Sequence, residues 1–290
     1  SNSMKTHIFI FYSIITLGIL SVSPLQTHAQ SIFVTTQEKP LHVGNTSLVT
    51  VMIDTGKAEI NAIEGDISVS NSKDITWIST GGSVFTLWPQ KPSLESGHIV
   101  FVGGTPNTVY GTSLKTFTFA YKPSSTKSLK ISFKNSNAYL GDGKGTKITL
   151  SGKSIEIPVI ADRKVTNELA TLVNTDIVPP LPFTIELGKD ASVNNGRYFV
   201  SFYTQDMDSG IQRYEVTEGL RPPVRSGNVY VLQNQNLTDT IEVSAIDAAG
   251  NIRTEKLVLE PQSSWQDNVS MIAFFIILLG ALYFFILKKQ

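Results

Sequence analysis

Three aspartates, Asp206, Asp208 and Asp247, sit in contexts that could bring their oxygens together. Clustered carboxylate oxygens are what a hard cation such as calcium requires. The same contexts, Asp206-Met207-Asp208-Ser209-Gly210 and Asp247-Ala248-Ala249-Gly250-Asn251, also fit Asx turns, in which each carboxylate caps its own loop. Another run, Asp142-Gly143-Lys144-Gly145, resembles part of a calcium loop. It lacks the alternating acids and the terminal Glu of an EF-hand, and reads as a turn. Four rings, Trp77, Trp88, Tyr110 and Tyr139, are the candidates for stacking on a sugar. Trp88, just before Pro89, reads first as cover for one end of a core, with sugar stacking as the alternative.

Other chemistry is narrowly bounded. The chain has no Cys, which excludes thiolate metal sites and cysteine nucleophiles, and beyond residue 29 the only histidines are His42 and His98. No Gly-x-Ser-x-Gly elbow occurs, and no Gly-rich phosphate loop joins a strand to a helix. A glycosidase needs only two carboxylates, and Asp54, Glu59, Glu64, Asp66, Asp74 and Glu95 offer more. Acids scattered over strand ends are ordinarily solvated surface, so no enzyme is expected. Nucleic-acid binding is not expected either, because no basic patch carries interleaved aromatics.

The elements that must position these residues are strands, exported and tethered. Met4 and Lys5 open an apolar run, Ile8 to Leu20, which ends in small and polar residues near Ala29. That is the pattern of a secretory signal peptide over residues 4–29. Residues 269–287 carry no charge and are followed at once by Lys288 and Lys289. Nineteen residues of helix span roughly 28 Å, the thickness of a hydrocarbon core, with the lysines on the cytoplasmic side. The expectation is a single-pass protein of the cell membrane with an extracytoplasmic body and a short cytoplasmic C-terminus. Removing Lys5, Lys288 and Lys289 from the 24 basic residues leaves 21 against 24 acidic ones, so the exported part carries about −3.

That part reads as β throughout. Val, Ile, Thr, Phe and Tyr fill short runs broken about every ten residues by Gly, Pro, Asn and Ser. In Leu114 to Tyr121, Phe117, Phe119 and Tyr121 alternate with Thr116, Thr118 and Ala120, as on a half-buried strand. The expected organisation is one β domain over 30–160, a polar linker over 161–175 that few contacts cross, with a helix-like stretch at Asp162 to Val173, and a second β domain over 176–261.

Across 31–160 an ordered set of features resembles the cohesin domain. It comprises Val43-Gly44, the strand Leu48 to Asp54, Ile60-Asn61-Ala62-Ile63-Glu64-Gly65-Asp66-Ile67, and Thr86-Leu87-Trp88. Ile99 to Gly104, Tyr110-Gly111, Phe117-Thr118-Phe119 and Leu140 to Thr146 follow in order. The resemblance implies a nine-stranded jelly-roll β-sandwich, related to carbohydrate-binding modules, that captures a dockerin-bearing protein. Direct polysaccharide binding through the related fold, or a purely structural envelope role, are the alternatives. Residues 176–261 resemble the Ig-like or fibronectin-like modules of bacterial surface proteins. The resemblance rests on Pro179-Pro180, Asp206 to Ile211 with Arg213-Tyr214-Glu215-Val216, and Ala245 to Asn251. It implies a second β-sandwich serving as a spacer. From the residues themselves, Gly103-Gly104 and Asp142 to Gly145 read as turns with positive φ, and Ala62, with Ile63 as the alternative beside it, as inward positions next to a bend at Gly65.

Overall fold

The computed structural model describes residues 29–161, 165–192 and 194–259. The expected signal peptide (all but Ala29) and the apolar run 269–287 lie outside these residues. Among the described residues no helix is long and apolar enough to cross a membrane.

The first body holds β1 (Ser31–Thr36), β2 (Leu41–His42), β3 (Ser47–Asp54), β4 (Ile60–Val69), β5 (Ile75–Ser79) and β6 (Leu87–Glu95). It continues with β7 (His98–Val109), β8 (Leu114–Tyr121), β9 (Leu129–Leu140), β10 (Lys147–Thr149), β11 (Ser151–Gly152), β12 (Ile155–Ile157) and β13 (Val159–Ile160). One sheet has the order β11-β1-β3-β8-β5. The other runs β10-β9-β4-β7-β6, with β12 also on β9. The alternating residues Val49, Val51 and Ile53 of β3, Phe117 and Phe119 of β8, Ile63 and Ile67 of β4, and Ile99 and Phe101 of β7 meet between the sheets in one core. This is a β-sandwich. The resemblance implied nine strands, whereas this body has thirteen strand pieces, because residues 147–160 form four pieces of two or three residues. They pair in turn with β9, β1, β9 and β2, because the chain crosses from sheet to sheet along the open edge and no pairing can lengthen.

Two local expectations are corrected. Gly103 lies inside β7 rather than in a turn. A side chain there would sit 2.7 Å from the Trp88 ring, so the glycine makes room for the indole. On β4 the inward position is Ile63, the second of the two expected there and fully buried, while Ala62 lies half-buried opposite Gly104 and Tyr139. The bend there is a pair of register shifts flanking Ile60/Ala62 and Glu64/Asp66. Gly143 and Gly145 do take positive φ, 71° and 68°.

The expected linker is not bare. It carries α1 (Glu168–Thr175), which overlaps the stretch Asp162 to Val173 that reads as helix-like in the sequence; the Asn167 side chain caps it, accepting from Ala170 N at 2.9 Å. The helix docks at the start of β3, the middle strand of the five-stranded sheet. Glu168 N donates to Thr46 O at 2.9 Å, and Leu48 N donates to Glu168 Oε2 at 2.6 Å.

The second body holds β14 (Ile185–Gly188), β15 (Phe199–Phe202), β16 (Ile211–Glu218), β17 (Val224–Ser226), β18 (Val229–Val231), β19 (Thr240–Asp247) and β20 (Ile252–Val258). Sheets β14-β15-β18 and β17-β16-β19-β20 enclose a separate core built on Val200, Phe202, Tyr214, Val216, Ile241 and Val243. Contacts cross between the bodies where few were expected. Ser79 Oγ donates to Ser209 O (2.9 Å), Gly82 N to Asp206 O (3.0 Å) and Gln205 Nε2 to Ser83 O (3.0 Å). The loop after β5 thus rests on the loop before β16, and Gly81 and Gly210 are what let the two backbones approach.

Candidate functional site: an open sheet face and a buried carboxylate joint

Alternation decides which side chains each sheet shows to solvent. On the five-stranded sheet the outer positions include Leu48, Thr50, Trp77 and Thr118. They floor a groove of about 370 Å³ whose walls are Leu172 of α1 and Met207 of the second body. Lys115 also lines it. Burial lowers the ammonium's pKa, opposed by the charge of Asp208. This face is therefore partly covered.

Among the described residues the outer face of the six-stranded sheet has no such cover. Its centre is apolar, with Val100 and Val102 half-buried on β7. Its flank is a polar network. Glu64 Oε1 accepts from the Tyr139 hydroxyl at 2.7 Å and from Asn137 Nδ2 at 3.0 Å, and Lys147 Nζ lies 3.7 Å away. The Tyr139 hydroxyl, opposed by desolvation and aided by Asn137 and Lys147, holds the Glu64 carboxyl below its usual range. Beside it His98 Nδ1 and Asp66 Oδ1 are 2.6 Å apart. Paired strands bring these groups together: Asn137 lies opposite Glu64, and Val100 opposite Asp66. Sequence reasoning missed Glu64, Asn137, Val100 and Val102. The strand alternation held the signal, but not which sheet face would stay open.

The four candidate rings do not form one platform. Trp77 is on the outer face of the other sheet, in the groove. Trp88 leans on the core, edge-on to Phe85, and its Nε1 donates to Phe85 O at 3.1 Å. Tyr110 follows β7 and is 62% exposed, and Tyr139 is tied to Glu64. Trp88 and Tyr139 stand on β6 and β9, three strand spacings or about 14 Å apart.

Of the three candidate aspartates, Asp206 and Asp247 meet, but the third partner is Asp176. The three are buried, with one oxygen of each within 4.8 Å of the others. Asp208 instead lies exposed at the groove with Lys115. The Asx reading describes most of the oxygens. Asp206 Oδ1 accepts from Gly210 N (2.6 Å) and Asp208 N (3.1 Å), and Asp247 Oδ1 accepts from Asn251 N (2.8 Å). Asp176 accepts from Val178 N (3.0 Å) and Ser209 N (3.2 Å). Asn251 Nδ2 bridges the group, donating to Asp247 Oδ2 (2.9 Å) and to Asp176 O (3.1 Å). Burial raises the Asp206 pKa, and the charges of Asp176 and Asp247 add to the rise against the Gly210 and Asp208 amides. Two oxygens on one calcium are at most about 4.8 Å apart, so Asp176, Asp206 and Asp247 are the residues that could hold such a cation. A proton on Asp206 relieves the same repulsion.

No family model matches the sequence, and no curated protein matches it. Several solved structures similar to this chain are cohesin modules. The cohesin module from a Clostridium perfringens family 33 glycoside hydrolase is 16% identical, with a TM-score of 0.38 over 46% of this chain and 98% of that one. A non-cellulosomal cohesin from the archaeon Archaeoglobus fulgidus is 14% identical, with a TM-score of 0.39 over 47% and 94%. The third ScaB cohesin of R. flavefaciens, solved in complex with a group 1 dockerin, is 14% identical, with a TM-score of 0.36 over 47% and 99%. The sandwich described above rests on its own strand order and core.

Proposed function

We propose that this chain is a non-catalytic binding protein that captures a protein partner on the open face of its six-stranded sheet. The observation that carries the reading is that face itself: an apolar centre at Val100 and Val102 beside carboxylates already paired within the chain. Such a surface can be desolvated by a partner without stranding a bare charge. The ordered features of residues 31–160 favour a dockerin-bearing partner. The three-plus-four strand arrangement of the second body supports an Ig-like spacer, and the charge-free run 269–287 supports an anchor in the cell membrane. A polysaccharide ligand is the weaker reading, since the four candidate rings are dispersed.

The test is a titration of the full-length chain in detergent with purified dockerin modules. Binding is expected, and Val100→Asp with Val102→Asp should weaken it about 100-fold, as loss of a central hot spot does. The melting temperature of the variant is read alongside, because the new aspartates would stand opposite Asp66 and Glu64 and add like charge there. Absence of binding to every dockerin, with unchanged capture of a glycan by the double variant, overturns the reading.

A further inference from the structure

The second sandwich presents one apolar side chain on a rigid turn. Between β16 and β17 the chain runs Gly219-Leu220-Arg221-Pro222-Pro223, and Leu220 is wholly exposed. Arg221 N donates to Glu218 O at 3.1 Å and Gly219 N to Thr240 O at 2.9 Å, with Gly219 at φ +60°. Beneath the turn Glu218, buried to 1% exposure, accepts from Tyr230 Oη (3.0 Å), Gln233 N (2.9 Å) and Asn234 N (2.6 Å). Arg221 Nη1 reaches Asp239 Oδ2 at 2.7 Å, so the turn is held from both sides. One exposed leucine is ordinary on a protein surface. Its position on the sandwich is what singles it out.

Strand register fixes that position. Glu218 lies opposite Ile241 on β19, and Thr240 lies opposite Val258 on β20. Gly219 and Val258 are thus two strand spacings apart, about 10 Å. Val258 is itself 68% exposed, and the described residues end with Leu259. From there the sequence reaches Trp265 in six residues, at most about 21 Å of chain, and the charge-free run begins at Val269. Tryptophan favours the headgroup level of a bilayer. The end of the sandwich that carries Leu220 is therefore the end tethered closest to the lipid.

We propose that Leu220 contacts the membrane: the turn seats its leucine at the headgroup–acyl boundary and sets the tilt of the spacer. The inference rests on the anchored-spacer reading above. Burying one leucine is a weak attraction alone, but the tether makes the contact intramolecular, so a weak contact suffices to orient the body. The rigid turn means that little further ordering is lost on insertion.

Because the chain contains no cysteine, single labels are unambiguous. Full-length Leu220→Cys and the control Ile252→Cys, 56% exposed at the opposite end of β20, would each carry an environment-sensitive fluorophore in phosphatidylcholine vesicles. The expected result is a blue shift at 220 and quenching by lipids spin-labelled high on the acyl chain, several-fold stronger than at 252. Equal, weak quenching at both positions overturns the contact while leaving the anchor intact. Protein that fails to float with the vesicles overturns the anchor reading and this inference with it. A blue shift at 220 that no lipid quencher touches assigns the leucine to a second copy of the chain and overturns the membrane contact.

Discussion

Glu64 on the open sheet face and Asp206 at the joint are both carboxylates surrounded by donors, yet they titrate in opposite directions. Glu64 is part-exposed and answered by a hydroxyl, an amide and an ammonium, so its pKa falls. Asp206 is buried with two other carboxylates, and its own oxygens meet only backbone amides, so burial and the neighbouring charges win and its pKa rises. The difference lies in burial and in the sign of the neighbours rather than in the number of hydrogen bonds. It also separates two roles. The first arrangement leaves a face ready to be covered, whereas the second ties the helix-bearing segment, the loop before β16 and the β19–β20 hairpin into one joint beneath the first sandwich.

The largest expected effect is at the joint. Asn251→Ala removes the side-chain amide that donates to the Asp247 carboxylate and to the Asp176 backbone carbonyl. We expect a loss of about 2–3 kcal/mol in the unfolding of the second body, measured by denaturant titration, since hydrogen bonds to buried charge are the costly ones to break. A loss within error would mean that the three carboxylates are held without the bridge.

Asp206→Asn tests the charge itself. The variant keeps the Oδ1 acceptor for Gly210 and Asp208 while removing a buried charge. A carboxyl whose folded pKa is raised contributes stability that is complete below its unfolded value and is lost as pH rises through the folded one. The variant should therefore melt higher than the parent at pH 7, and the gap should close as pH falls toward 4. A melting temperature that rises with added calcium in the parent, and not in the variant, would assign the relief of repulsion to a cation instead of a proton.

The smallest effect is expected on the open face. Tyr139→Phe removes one of the donors to Glu64, and at a part-exposed site the stability cost should stay below about 1 kcal/mol. The Glu64 carboxyl should move back toward its usual range, which NMR titration reads directly. Glu64 stabilises the fold above its unfolded value and loses that contribution as pH falls through its lowered one, opposite in sign to Asp206. If the carboxyl does not move, Asn137 and Lys147 carry the shift.

Several of these features were legible in advance. The alternation around Phe117, Phe119 and Tyr121 names their buried face, and all three are fully buried. The asparagine, glycine and aspartate runs announce the turns at Asp142 to Gly145 and Asp247 to Asn251. Gly103 misled, because a glycine that makes room for a distant indole looks the same in sequence as one that turns the chain. Asp208 misled for a related reason: two residues from Asp206, it projects away from the cluster that Asp176, thirty residues earlier, completes.

By itself the sequence determined what depends on neighbours along the chain: strand periodicity, turn chemistry, the charge-free run near the C-terminus and the absence of thiol or multi-histidine chemistry. Only the tertiary structure decided which sheet face is covered by α1 and the second body, and which aspartates meet. It also decided that Leu220 shares an end with Val258. These are consequences of strand order and register, which long-range pairing and core burial fix and which no local spacing encodes.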